Sequence, residues 1–201
     1  MSENLALPVI TISREYAAGG RSIARGLSQR LGIEFYDADF VRLTSKVSGY
    51  SEEDVWREGE SMSERSRFMN TFLNNTAAYV SSYDAIFQAQ KEVILNLAKT
   101  PCIIIGRCSN MILREAGIPS FDVFLYGSRE FRIKRTKELG DCEGMDPAKY
   151  MDRRDHLRQT YYKAYIGHEM GDYHDYNILL DVSKIGIDQC VDLLASALST
   201  E

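Results

Sequence analysis

The stretch "REYAAGGRS", residues 14–22, follows directly on the apolar run "LPVITIS". A phosphate-binding loop of the form G-x-x-x-x-G-K-[ST] sits between a strand and a helix, and its backbone amides wrap the anion. Laid over this stretch, the second glycine falls on Gly20, the hydroxyl on Ser22, the lysine on Arg21 and the first glycine on Glu15. Ala17, Ala18, Gly19 and Gly20 are all small, so the chain can approach a phosphate without a Cβ clash. A helix starting near Arg21 and Ser22 would aim its N-terminus at the same anion. Arg21 offers a planar fork in place of an ammonium, and Ser22 offers a hydroxyl to Mg²⁺. Glu15 is discordant, because it brings a carboxylate toward the phosphates. The alternative is a plain strand–turn–helix whose glycines only make the turn. Its place directly after the first strand of an α/β chain favours the phosphate site.

The rest of the chain supplies the α/β context. Short strands are expected over Val9–Ser13, Glu34–Tyr36, Cys102–Gly106, Asp122–Tyr126 and Asn177–Val182, most of them apolar runs suited to burial on both faces. Helical stretches lie between them. "GRSIARGLSQRLG" puts Ile23, Leu27 and Leu31 on one stripe with Gly32 as C-cap, Ser128 caps "SREFRIKRTKEL", and "SKIGIDQCVDLLASAL" reads as a closing helix. This alternation predicts a parallel sheet with helices on both faces. The interval from Ser51 to Lys99 breaks the rhythm and predicts one or two helices standing out from the sheet, as a subdomain or a surface for self-association.

Three further constellations carry chemistry. The third strand ends "CIIIGRC", which places Gly106 and Arg107 at the carboxyl edge of the sheet, where ligands of parallel sheets bind. Arg107 there suits bidentate phosphate binding, or a pair with a nearby acid. The second strand ends "FYDADF", so Asp37 and Asp39 can hold Mg²⁺, accept a proton or bind an acceptor hydroxyl, and either can cap the next helix. In "DRRDHLRQTYY", Arg154 and Arg158 share a helical face with Arg153 beside them. Such guanidinium groups suit the spreading charge of phosphoryl transfer, and a solvated helix laced with Asp152 and Asp155 is the plainer reading.

Composition bounds these readings. With 201 residues, 44% of them hydrophobic and 26% charged, the chain suits one globular α/β domain. A net charge of −5 argues against nucleic acid or an anionic membrane as partner. Cys102, Cys108, Cys142 and Cys190 show no C-x-x-C spacing, and His168 and His174 do not fit the H-E-x-x-H zinc helix. With neither a signal peptide nor a membrane span legible, a cytoplasmic protein is expected.

The segments "ITISREYAAGGRSIARGLSQRLGIEFYD", "IIIGRCSNMIL", "FLYGSREFRIKR", "DRRDHLRQTYYKAY" and "NILLDVSKIGID" together resemble the cytidylate kinase-like family over nearly the whole chain, most weakly from Ser51 to Thr100. The resemblance implies a single P-loop kinase domain over residues 1–201, a three-layer α/β sandwich around a five-stranded parallel sheet. It implies a helical acceptor-binding region at residues 51–99 and an arginine-bearing lid at about residues 140–165. It further implies that Ala18, Gly19, Gly20, Arg21 and Ser22 hold ATP, with Mg²⁺ at Ser22 and Asp37. Asp37, Asp39, Arg42, Arg107 and Arg153 would face the acceptor, and Arg21, Asp37, Arg154 and Arg158 would serve catalysis. The implied activity is ATP-dependent phosphorylation of a nucleoside monophosphate such as CMP.

Two departures stand against that pattern. Cytidylate kinases carry a glycine and a lysine where this chain has Glu15 and Arg21, and acids around the strand-end arginine where it has Cys108, Ser109 and Asn110. The F-x-D-x-D pattern ending in Asp39 also resembles shikimate-type kinases, which act on a small hydroxylated acceptor. A non-catalytic nucleotide-binding protein on the same fold is the reading from a different functional class.

Overall fold

The computed structural model describes residues 9–74, 81–142 and 144–198. β1 (Val9–Arg14) leads into α1 (Gly20–Leu31), β2 (Glu34–Tyr36) and α2 (Ala38–Ser48). Three helices follow, α3 (Glu52–Glu58), α4 (Glu64–Asn74) and α5 (Ser82–Leu97). The chain then returns to the sheet with β3 (Cys102–Ile105), α6 (Ser109–Glu115), β4 (Phe121–Tyr126), α7 (Arg129–Leu139) and α8 (Pro147–Ile166). A 3₁₀ turn (Tyr173–Asp175), β5 (Ile178–Asp181), α9 (Val182–Ile185) and α10 (Ile187–Leu198) complete it.

The five strands form one parallel sheet in the order β2-β3-β1-β4-β5. Alternation along β1 sends successive side chains to opposite faces, as strand geometry requires. Ile10 and Ile12 join Ile103, Ile105, Val123 and Leu125 under α1 and α10, against Leu27, Leu194 and Leu198. On the other face Val9, Cys102 and Ile104 pack with Val93 and Ile94 of α5, Ile112 of α6, and Tyr161 and Tyr162 of α8. Thr11 falls on this face as well, and its hydroxyl donates to the buried Asp122 carboxylate at 2.6 Å.

The ends of the elements follow local chemistry. Gly32 closes α1 in the left-handed conformation, its N–H donating to Ser28 at 2.9 Å. Ser128 caps α7 by accepting from Phe131 at 3.3 Å. α8 opens on Asp146, which accepts from Ala148 and Lys149, with Pro147 at the first helical position.

Two expectations change. The segment from Ser51 to Lys99 holds three helices among its described residues, and α5 lies on the sheet, because Val93 and Ile94 give it a core-facing stripe. The closing "SKIGIDQCVDLLASAL" is two helices, broken where Gly186 takes a φ of 88°. Among the described residues, no helix is long and apolar enough to cross a membrane.

This packing aims α1, whose N-terminus faces the carboxyl edge of the sheet. Leu27 is fully buried between α1 and β-strand side chains. Leu27→Ala is therefore expected to cost about 2–5 kcal/mol of stability, read from guanidinium unfolding midpoints.

Candidate active site

The loop between β1 and α1 reverses direction through two left-handed residues, Ala17 at φ 60° and Gly19 at φ 93°. Ala17 holds this conformation with a Cβ, at a cost of about 1–2 kcal/mol. α1 then begins with no side-chain cap and no acid in its first turn. Its first amides have no partner within the helix, so the positive end of the dipole is open to an anion. Ala18, Gly19 and Gly20 are buried beneath this opening, and Arg21 and Ser22 are exposed on it.

The Glu15 carboxylate does not stand free beside this opening. It accepts from the Gly127 amide at 3.1 Å and lies 3.1 Å from Nε of Arg132. Burial raises its pKa, opposed chiefly by the Arg132 charge. Arg132 in turn pairs with Asp155 of α8, and Asp155 accepts from the Tyr16 amide at 2.6 Å. The Tyr16 hydroxyl donates to Asp141 at 2.7 Å, and its ring lies within 6 Å of two guanidinium groups, Arg154 at 5.8 Å and Arg158 at 5.7 Å. Arg154 also lies 5.3 Å from the ring of Trp56. Loop and α8 are thus joined by hydrogen bonds, an ion pair and cation–π contacts.

A second cluster gathers arginines from three elements around one carboxylate. Arg14, at the end of β1, pairs with both oxygens of Glu60, which lies between α3 and α4. Arg158 of α8 stands 3.8 Å from the same carboxylate. Arg107 follows β3 in the left-handed conformation at φ 61°, is buried, and lies 6.0 Å from the ring of Phe40. Burial would raise the Glu60 pKa, but the charges of Arg14, Arg158 and Arg107 together hold it well below the usual carboxylate range. Burial, reinforced by the charge of Arg14, pulls Arg158 down to about 10.

Glu15, Tyr16, Asp141 and Arg154 of the first cluster and Arg14, Glu60, Arg107 and Arg158 of the second line one open cleft at the N-terminus of α1. It brings together Arg14, Arg21, Asp37, Arg107, Arg154 and Arg158. Asp37 occupies the N-cap position of α2 without making a capping hydrogen bond, because its carboxylate pairs with Arg21. The structure does not bring Asp39, Arg42 or Arg153 into this cleft. Asp39 and Arg42 pair with each other at 3.1 Å on the exposed side of α2. Arg153 is exposed, since one helical step from Arg154 turns it to another face.

Arg14, Glu60, Tyr16, Arg132 and Asp155 were not legible as site residues. Arg14 carries one signal, its place at a strand's carboxyl end. Glu60 carries none, since it sits in a helix break without a motif.

Residues 9–184 match the cytidylate kinase-like family. The chain belongs to that family. A cytidylate kinase of Thermoplasma volcanium is 24% identical over 173 residues, covering 86% of this chain and 81% of that protein. Among solved structures, an uncharacterized protein from Eubacterium ventriosum superposes with a TM-score of 0.65 at 21% identity, covering 96% of this chain and 99% of its own. Shikimate kinase from Bacteroides thetaiotaomicron superposes with a TM-score of 0.60 at 12% identity, covering 97% of this chain and 100% of its own. The five-stranded parallel sheet with flanking helices is thus the P-loop kinase fold.

Gly106 makes the arginine cluster sterically possible. It takes a φ of 70°, and a Cβ there would overlap both Glu60 and Arg14. Gly106→Ala is expected to lose about 1–3 kcal/mol through backbone strain, with displacement of the ion pair adding to the loss. The fluorescence of Trp56, the single tryptophan, should shift as the cleft rearranges. Unchanged stability and emission would remove this role.

Proposed function

We propose that the chain is an ATP-dependent phosphotransferase whose acceptor is a nucleoside monophosphate such as CMP. The observation that carries this reading is the convergence of Arg14, Arg107, Arg154 and Arg158 on one cleft with the uncapped N-terminus of α1. A helix start without cap or acid suits a phosphate chain, and guanidinium groups from three elements suit a second anion and the charge that develops between them.

The residues present fit the donor nucleotide. The amides from Gly19 to Ser22 would hold its phosphates, and Arg21 would set its charge beside them. Among the described residues, no cluster of three or more His, Cys, Asp or Glu could hold a metal ion. Mg²⁺ in such sites keeps several waters and leans on substrate phosphates, and the exposed Ser22 hydroxyl would complete that shell. Asp37 would join it on release from Arg21. Bound Mg·ATP would supply the transferable phosphoryl group and neutralise part of its charge. The chain's own residues position and stabilise: Arg107 orients the acceptor, while Arg154 and Arg158, braced on Tyr16, meet the charge of the transferring group.

One observation favours a second reading, nucleotide binding without turnover. The Arg21 guanidinium is already paired with Asp37, which would compete with phosphate for its charge. The two readings part on a coupled ADP-release screen over nucleoside monophosphates, shikimate and other small alcohols. Acceptor-dependent turnover greatest with a pyrimidine monophosphate supports the proposal. ATP binding by calorimetry with no turnover across the panel supports the rival. In an active protein, Arg21→Ala should lower kcat by roughly 10²- to 10³-fold, whereas Arg21→Lys should change it modestly. Normal kinetics in Arg21→Ala would refute the role assigned to Arg21.

A further inference from the structure

Trp56 is a large aromatic residue that neither the motifs nor the family comparison assigns, and core packing does not account for it. Val55 beside it packs with Val41 and Ile86, whereas Trp56 stays outside that cluster and is 53% exposed. Its ring borders the cleft, and the Arg154 guanidinium stands 5.3 Å from it. The Tyr16 ring lies 5.8 Å from the same guanidinium.

Arg154 is held differently from its neighbours. Arg14 and Arg158 face Glu60, and Arg21 pairs with Asp37. Among the described residues, Arg154 has no ion pair and no hydrogen bond, so two aromatic rings are what hold it. A guanidinium on an aromatic face keeps its N–H groups free for another acceptor. Leaving such a face costs far less than leaving a buried carboxylate. The helix beneath is fixed on both sides of this residue. Tyr150 and Met151 are buried against Tyr16, and Asp155 is bound to the Tyr16 amide and to Arg132. Movement of Arg154 onto a ligand is therefore carried by its side chain, with α8 in place.

We infer that Trp56 is a positioning residue: its indole parks Arg154 while the cleft is empty and gives the guanidinium up when a polyphosphate occupies the loop. The inference rests on the phosphotransferase reading for the polyphosphate, and on the contacts of Arg154 with Tyr16 and Trp56 for the rest. A contact made only in the ligand-free state opposes binding by its own free energy. Trp56 thus weakens binding at the loop, the opposite of what a supporting residue does. The small penalty keeps Arg154 at the cleft and withholds its charge until phosphate competes for it.

The test titrates inorganic tripolyphosphate with Mg²⁺, and the non-hydrolysable nucleotide AMP-PNP with Mg²⁺, by calorimetry with no acceptor present. Trp56→Leu removes the aromatic face and should tighten both probes about two- to fivefold, the release of one half-exposed cation–π contact. Trp56→Phe keeps a face and should stay within about twofold of the parent protein. In an Arg154→Met background, adding Trp56→Leu should change neither affinity by more than about 1.5-fold, because the parked charge is gone. A supporting role for Trp56 predicts weaker binding of both probes in Trp56→Leu. Stacking of the nucleotide base on Trp56 predicts weaker AMP-PNP whatever tripolyphosphate does. Either result overturns the inference, as does unchanged affinity or a tightening that persists without Arg154. Should Trp56→Leu not fold, the parent protein decides through its single tryptophan, whose emission should shift with either probe. Constant emission at saturation overturns the parking role. Failure here is distinct from failure of the kinase reading. A chain that shows the tightening without turnover on any acceptor keeps the parking role. One that turns over without the tightening loses that role alone, and one that binds neither probe loses both.

Discussion

The ion pair between Arg14 and Glu60 is the contact on which the rest of the cleft depends. Guanidinium groups from β1, the β3–α6 turn and α8 cannot crowd together at one sheet edge without a counter-charge, because burial removes the water that would screen them. Glu60 supplies it from a helical region remote in sequence, pinned by Gln90 on one side and by the Met62–Leu157 bond on the other. Gly106 leaves the space that the pair occupies. Strand end, glycine turn and inserted helices are thereby committed to one geometry.

A second constraint ties the phosphate loop to α8. The Tyr16 amide is bonded to Asp155, which is shared with Arg132, and Arg132 also holds Glu15 and the β4–α7 turn. The Tyr16 ring meanwhile supports Arg154 and Arg158. Placement of these two arginines therefore follows from the loop's own conformation, including the left-handed Ala17. Burial of Tyr161 and Tyr162 in the core beneath β3 anchors the far half of the same helix. The tyrosine-rich end of α8 serves packing, and its arginine-bearing half serves the cleft.

Much of this was legible from local pattern. Apolar runs with intervening amphipathic stretches marked the sheet, Gly32 and Ser128 marked helix ends, and the small residues from Ala17 to Gly20 marked the loop. Each depends on neighbours within a few residues. The readings that changed depended on distant partners. Asp37 does take the N-cap position of α2, but its carboxylate pairs with Arg21, sixteen residues earlier, and makes no capping bond. Arg153 was expected at the acceptor beside Arg154 and Arg158, and the rotation of α8 that sets Arg154 against Tyr16 and Trp56 leaves Arg153 exposed. Asp39 and Arg42 looked like site residues beside Asp37, yet they satisfy each other on the outer side of α2.

By itself the sequence determined the parallel α/β architecture, the place of the phosphate loop and the arginine-bearing helix, because periodicity and glycine placement act over single elements. The tertiary structure decided which charges share a cleft. Glu60 has no motif and no periodicity to announce it, and its partners Arg14, Arg107 and Arg158 are separated from it by 46 to 98 residues. Electrostatic complementarity between such distant groups exists only once the sheet order, the inserted helices and α8 bring them within a few ångströms.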